Sequence, residues 1–339
     1  MISRVAETCF WLFRQLERAE STARLLQVNR AFILDISLPE IERWYPLVIV
    51  VGERKRFGKL FAEAARQDEE VIQAYLTWHD DNPVSIKNAI YWARENARTI
   101  REVISLDTWE AINSLWHWIS SGPGKRMYKT DRDKFYRHLI TSINSIHGVA
   151  LNTQSHEAPF YFMQLGLLLE RAGQTARTLD FKYHSIGPTK LGMESPIEIA
   201  QWLALLRSCS AQDAYLKKAR TGISGPDIFE FLVKDDRFPR SVLYCLDSAS
   251  RIMVRLRTTD RTEPADPTKS MIMLNKMVTE IRGTTTQESL EKSIHKELTT
   301  IVDSTMDICS QLHKDYFDPE IPETFSELTS TKAGIGRRG

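Results

Sequence analysis

Cysteine is scarce in this 339-residue chain: Cys9, Cys209, Cys245 and Cys309 lie far apart, with no CxxC pair and no zinc-type spacing. That excludes a disulfide framework or a zinc ribbon and points to buried free thiols in a reducing cytosol. Glycine (15) and proline (13) are thinner than ordinary usage and cluster at a few breakpoints. An excess of either charge is missing too, with 45 basic against 44 acidic side chains, so no global field draws the chain to nucleic acid or an anionic membrane. Apolar runs such as YPLVIVVG fall well short of the 18 or so residues a membrane span needs. The opening MISRVAETCFWLF is interrupted by Glu7 and has no small-residue cleavage site, unlike a secretory signal. A cytoplasmic protein outside the membrane is the expectation.

Strand-type alternation is equally absent, whereas helical periodicity runs through most of the chain. The one β-branched run, Val48 to Val51, is short and sits in a stretch that otherwise reads as helix. The expected fold class is all-α. Breakpoints are expected at 37–39, 80–83, 120–124, 187–188, 222–226 and 258–270, and the polar end from 326 to 339 reads as a flexible tail.

One motif is written twice. Shifted by 153 positions, Leu12, Leu16, Glu17, Arg18, Ala19, Thr22, Ala23, Arg24 and Leu26 fall on Leu165, Leu169, Glu170, Arg171, Ala172, Thr175, Ala176, Arg177 and Leu179. A looser echo pairs DDNPVSI, ending at Ile86, with DDRFPRSV, ending at Val242. Two ordered echoes at nearly one offset predict a bundle of two pseudo-repeated halves, residues 1–150 and 151–325.

At 100° per residue, Val5, Cys9, Leu12, Leu16, Ala19, Ala23 and Leu26 form one apolar stripe. The small Ala19 and Ala23 would let a neighbouring helix approach closely. Glu17 and Arg24 share one flank but stand two turns apart, so they cannot pair with each other; Arg18 points to the opposite flank. A buried charge costs several kcal/mol unless it is paired. Glu17, Arg18 and Arg24 are therefore expected to meet charges from other helices, with Glu170, Arg171 and Arg177 as the candidates. Such a network could hold helix register alone, or it could border a polar cavity that takes a ligand or a partner's tail; both readings stand at this level.

A second dense stretch, SIKNAIYWARENARTIREVI, places Ile86, Ile90, Ala93, Ala97, Ile100 and Ile104 on one face and Arg94, Glu95, Asn96, Arg98, Arg101 and Glu102 on the rest. Glu95 is spaced to pair with Arg98, and Arg98 with Glu102. Pro83 and Ser85 mark its start.

These stretches, SRVAETCFWLFRQLERAESTARLL, NPVSIKNAIYWARENARTIREVISLDTWEAIN and FMQLGLLLERAGQTARTLD, resemble the bacterial alpha-E family of helical proteins with a Glu-Arg motif. By motif position Glu17, Arg18, Glu170 and Arg171 match the family's Glu-Arg pairs, and Arg94, Glu95, Asn96 and Arg98 match its Ala-Arg-Glu-Asn-Ala-Arg segment. The resemblance implies a protein encoded beside a circularly permuted ATP-grasp ligase, often with a transglutaminase-like protease, in a system that builds or modifies peptides through amide bonds. Gly173 stands where an acidic residue is usual in the family, and HEAPFYF replaces a more charged approach, so the second copy is expected to be the weaker site.

Self-sufficient catalytic sets are missing. GERKRFGKL has five residues between its glycines rather than four, and Leu60 where a phosphate loop needs a hydroxyl. No histidine follows a glutamate by three, as a di-iron bundle requires, and no GxSxG elbow occurs. No metal and no cofactor are expected. The functional expectation is a helical partner of an ATP-grasp amide or peptide ligase, docking the ligase or presenting a peptide or amino-acid substrate through the Glu/Arg cluster. The alternatives are a stand-alone amide- or peptide-forming transferase with Glu17 or Glu170 as a general base of raised pKa, or a purely structural helical adaptor. Binding of nucleic acid through Arg54-Lys55-Arg56 has no interleaved aromatics behind it.

Overall fold

The computed structural model describes residues 3–35, 39–186, 195–219, 222–258, 266–286 and 294–318. Among these every regular element is helical and no strand occurs, so the fold is all-α. The Val48–Val51 run lies at the end of a helix, Tyr45–Val50, as the surrounding pattern implies.

Two long helices carry the doubled motif, α1 (Ser3–Asp35) and α10 (Ala158–Ile186), and they pack along each other. The apolar stripe of α1 explains its place: Cys9, Leu12, Leu16, Ala19, Ala23 and Leu26 are fully buried, as are Leu165, Ala172, Ala176 and Leu179 of α10. Burial of each large aliphatic contributes about 1.5–3 kcal/mol. Closest approach falls at Gly166, where a Cβ would lie 2.0 Å from the Phe10 carbonyl oxygen. Only glycine fits there.

Shorter helices follow α1: α2 (Glu40–Arg43), α3 (Tyr45–Val50), α4 (Arg54–Leu60) and α5 (Glu69–Trp78). Then come α6 (Ile86–Thr99), α7 (Leu106–Ser120), α8 (Pro123–Thr130) and α9 (Arg132–Thr153). Polar side chains open several of them by accepting free backbone N–H groups: Asp68 for α5, Ser85 for α6, Ser105 for α7 and Asp131 for α9. After α10 come α11 (Pro196–Ser208), α12 (Gln212–Lys218), α13 (Gly225–Phe229), α14 (Val242–Thr258), α15 (Lys269–Gly283) and α16 (Ile294–Leu312).

Packing closes two rings of four helices. In the first, α1 contacts α6, α6 contacts α7, α7 contacts α9, and α9 returns to α1. In the second, α10 contacts α14, α14 contacts α15, α15 contacts α16, and α16 returns to α10. The rings share the α1–α10 seam, and one hydrophobic core runs through both. The cut expected at residue 150 falls in the last turn of α9, and the chain leaves the first ring at 154–157. The expected breaks at 187–188 and through 259–265, and the tail from 326, lie outside the described residues.

The helix expected to carry Ile86 through Ile104 is shorter than its pattern. It ends at Thr99, and Ile100 leaves helical geometry while its N–H still bonds the Asn96 carbonyl. Ile100 and Ile104 stay buried from the following turn, so their apolar spacing reports the core rather than a continuing helix.

Candidate functional site

The seam between α1 and α10 holds the doubled motif in crossed form. Glu17 on α1 accepts two bonds from the Arg171 guanidinium of α10, Nε to Oε1 at 2.7 Å and Nη2 to Oε2 at 2.8 Å. Glu170 on α10 accepts the same fork from Arg18 of α1, Nε to Oε1 at 2.8 Å and Nη2 to Oε2 at 2.9 Å. Each motif thus supplies the acid for the other's base, a two-bond geometry that arginine makes and lysine cannot. All four side chains are withdrawn from solvent: Glu17 is 0% and Glu170 4% exposed, and the two arginines keep 14–16% of their side-chain area.

Each carboxylate has a second guanidinium. Arg240, from the turn before α14, donates to Glu17 at 3.1 Å and reaches Glu20 at 3.2 Å. Arg14 donates to Glu170 at 2.7 Å, and Gln174 adds a bond at 3.0 Å. The turn carrying Arg240 is itself tied to α10, through the Thr175 hydroxyl to the Arg240 carbonyl at 2.9 Å.

Arg24 departs from its expected role. It bonds Glu20 one turn back on its own helix, not a charge on another helix. Four residues is the natural reach along a helix face, and a buried Glu20 needs that partner. Arg177 departs further. The residue one turn before it is Gly173 where Arg24 has Glu20, and Arg177 has no carboxylate within ion-pair distance among the described residues.

Burial would raise the pKa of both central carboxyls, and the guanidiniums outweigh it. Glu17 is lowered to about 2 by the charges of Arg171 and Arg240 and the Arg171 hydrogen bonds. Glu170 is held well below the usual carboxylate range by Arg18 and Arg14. The expectation of a raised pKa at Glu17 or Glu170 is therefore overturned, because desolvation was the smaller of two opposing effects. A carboxylate that binds its proton so weakly is a poor general base near neutral pH.

His147 of α9 stands beside this cluster, its ring 4.9 Å from that of Phe13. Its Nε2 is buried without a hydrogen-bond partner, and burial brings its pKa down to about 4, so the ring is neutral at physiological pH. Three thiols border the network as well. Burial pushes Cys209 and Cys245 up to about 12 and raises Cys309, which leaves them unreactive.

The second expected segment is separate from this cluster. Arg94 bonds the Asn113 side chain at 3.1 Å and Glu95 at 2.6 Å, and Glu95 pairs with Arg98 at 2.5 Å. Asn96 is half-buried on the same helix. The expected Arg98–Glu102 pair does not form, because α6 ends before Glu102. No hydrogen bond or ion pair among the described residues links this group to the seam.

Five participants lie outside the candidates read from the sequence: Arg14, Glu20, His147, Gln174 and Arg240. Glu20 and Arg24 carry a visible four-residue spacing, and Arg240 sits inside the DDRFPRSV echo. Arg14 and His147 bear no such signal. No group of three or more metal-ligating side chains occurs among the described residues, and no described helix is long and apolar enough to cross a membrane.

Uncharacterized proteins of Mycobacterium bovis and Mycobacterium tuberculosis are each 24% identical to the chain over 259 residues, a stretch that covers 72% of this chain and 29% of theirs. The chain thus spans less than a third of the length of these relatives. No solved structure matches it significantly. Residues 1–317 match a family described as a predicted alpha-helical domain with a conserved ER motif; the chain belongs to the Alpha-E family.

Proposed function

We propose that the protein is a non-catalytic helical partner of an ATP-grasp-type amide or peptide ligase, which it docks and to which it presents a peptide or amino-acid substrate. The observation that carries this reading is the saturation of both motif carboxylates. Glu17 and Glu170 each bind two guanidiniums and hold their protons weakly, so neither is free to move a proton in an amide-forming step. The motif then acts as a lock that sets the register of α1 against α10, and the chemistry belongs to a partner. In the mycobacterial relatives the matched stretch is 29% of a longer chain.

The crossed pairs also support an origin by internal duplication. The two rings make corresponding contacts, and Ser85 and Ser241 both cap the helix after their DD-x-P-type turn, accepting from Asn88 and Tyr244. A cytoplasmic setting fits the four free, buried cysteines.

The test mixes the purified chain with the ATP-grasp ligase encoded nearest to it. Comigration on gel filtration at micromolar concentration and a changed ligase rate are expected. Independent migration with an unchanged rate would overturn the reading, and comigration without any change in rate would reduce it to the structural adaptor. Turnover of amines and carboxylates by the isolated chain, lost in Glu17→Gln, would establish the transferase instead.

A further inference from the structure

Two positions of the seam that correspond by the 153-residue shift are filled differently. On α1, Glu20 is fully buried and its carboxylate is held by Arg24 at 2.9 Å and Arg240 at 3.2 Å. On α10 the matching pair is Gly173 and Arg177, with glycine where α1 has the carboxylate. At Gly173 there is room for a Cβ. A Cβ built on Gly173 would meet only the Thr305 methyl, at 3.8 Å, which is ordinary contact.

Charge accounting points the same way. Around Glu17 and Glu20, two carboxylates face Arg24, Arg171 and Arg240. Around Glu170, one carboxylate faces Arg14 and Arg18, with Arg177 adding a third guanidinium nearby. Burial, and the charges of Arg18 and Arg14 against the pull of Glu170, hold the Arg177 pKa below its ordinary value. A half-buried arginine in that condition lacks the counter-ion that its twin has.

We infer that Arg177, with the space beside Gly173, is a binding site for the carboxylate of a small molecule or chain end, which takes the place that the Glu20 carboxylate occupies on α1. The ligand class follows from that twin: Glu20 presents a carboxylate to Arg24, and a guanidinium grips a planar carboxylate with two parallel bonds. Arg177 keeps partial exposure, so an incoming group has a way to it. The inference rests on the substrate-presenting part of the proposed function and names the handle by which a peptide or amino acid is held. Gly173, the departure from the acidic residue usual in the family, is on this reading what opens the second centre to a ligand.

The test reads melting temperature and the Arg Nε–Hε NMR signals of the full chain with glycine, triglycine, triglycine amide or inorganic phosphate at constant ionic strength. Glycine and triglycine are expected to raise the melting temperature by about 2–5 °C at saturation and to move one arginine signal, with little effect from the amide. Arg177→Met should abolish the shift. Gly173→Glu should abolish it too while itself raising the melting temperature, because the new side chain supplies the carboxylate internally. An equal shift with the amide, an equal shift with phosphate, or a shift that survives in Arg177→Met would each overturn the site, as would no shift at all in the unaltered chain. Should Gly173→Glu fold poorly, Arg177→Met carries the decision alone. The ligase takes no part in these measurements, so their failure would leave docking untouched, and a failed comigration would leave this site standing.

Discussion

The two Glu-Arg centres begin from one motif and end with different electrostatics. The first is closed: two buried carboxylates, Glu17 and Glu20, share three guanidiniums, and Arg240 bridges both acids. The second is open: Glu170 alone answers Arg14 and Arg18, and Arg177 has lost the acid that Arg24 keeps. One repeated sequence pattern therefore sits in two electrostatic settings, because Gly173 stands where the first copy has Glu20.

The harshest way to break the comparison is at the seam itself. Phe13 and Gly166 occupy corresponding positions, one filling the core and the other letting the helices touch. Phe13→Ala should cost about 3–5 kcal/mol, the usual loss for a buried aromatic. Gly166→Ala should cost more, at least about 4 kcal/mol, since its Cβ would need the space of the Phe10 carbonyl and backbone must move. Urea unfolding of both variants checks the order. A Gly166→Ala protein as stable as the parent would mean that the helices do not meet as described.

Next in size is removal of either central acid. Glu17→Gln and Glu170→Gln each strand buried guanidiniums, a loss of about 3–5 kcal/mol. Glu170→Gln should lie at the upper end, because Arg14 and Arg18 are left with no carboxylate, whereas Arg240 still has Glu20 after Glu17→Gln. Equal unfolding midpoints in urea would show that the centres are not as unlike as their charges suggest.

How much of this was legible beforehand depends on where each contact comes from. The helices and their apolar stripes follow from periodicity, and the crossed pairs from the cost of burying unpaired charge, so Glu17, Arg18, Glu170 and Arg171 were readable as a set. Arg240 was not, because it reaches Glu17 across 223 residues from a turn, and helical spacing says nothing of turns. The end of α6 at Thr99 was hidden for a related reason: no glycine or proline marks it, and Ile100 and Ile104 continue the buried pattern after the helix has stopped. Arg94 and Glu95 read as a second polar stretch, and their charge is spent on Asn113 and Arg98 along α6 and α7. Gly173 was visible as a departure, yet its consequence depended on the Glu20–Arg24 pair that only the fold displays.

Acid should separate the groups of the closed centre by window. His147 has an ordinary pKa of 6.5 and about 4 in the fold, so below pH 6.5 the unfolded chain binds a proton that the folded one refuses. Stability is therefore complete above about pH 6.5 and falls as pH drops toward 4, by about 3 kcal/mol in all. Glu17 acts lower. Its folded pKa of about 2 against 4.5 means that its contribution is present above pH 4.5 and is lost as pH falls toward 2. Urea midpoints across pH 4.5–7 read His147 together with His138, whose pKa desolvation also lowers, and His147→Gln should flatten most of that limb. A limb unchanged by this substitution would assign it to other groups.

The smallest expected effect sharpens the contrast between seam and surface. Arg98 pairs with Glu95 at the same kind of distance as Arg171 with Glu17, 2.5 against 2.7 Å, yet its side chain is 62% exposed rather than 14%. Water already solvates Arg98, so Arg98→Ala should cost only about 0.3 kcal/mol, screened further by salt. Arg171→Ala takes the two-bond partner from a buried carboxylate, leaving Glu17 only Arg240, and should cost about ten times as much. If both variants shifted the urea midpoint equally, distance rather than burial would decide what an ion pair contributes in this protein, and the motif would hold no special place in it.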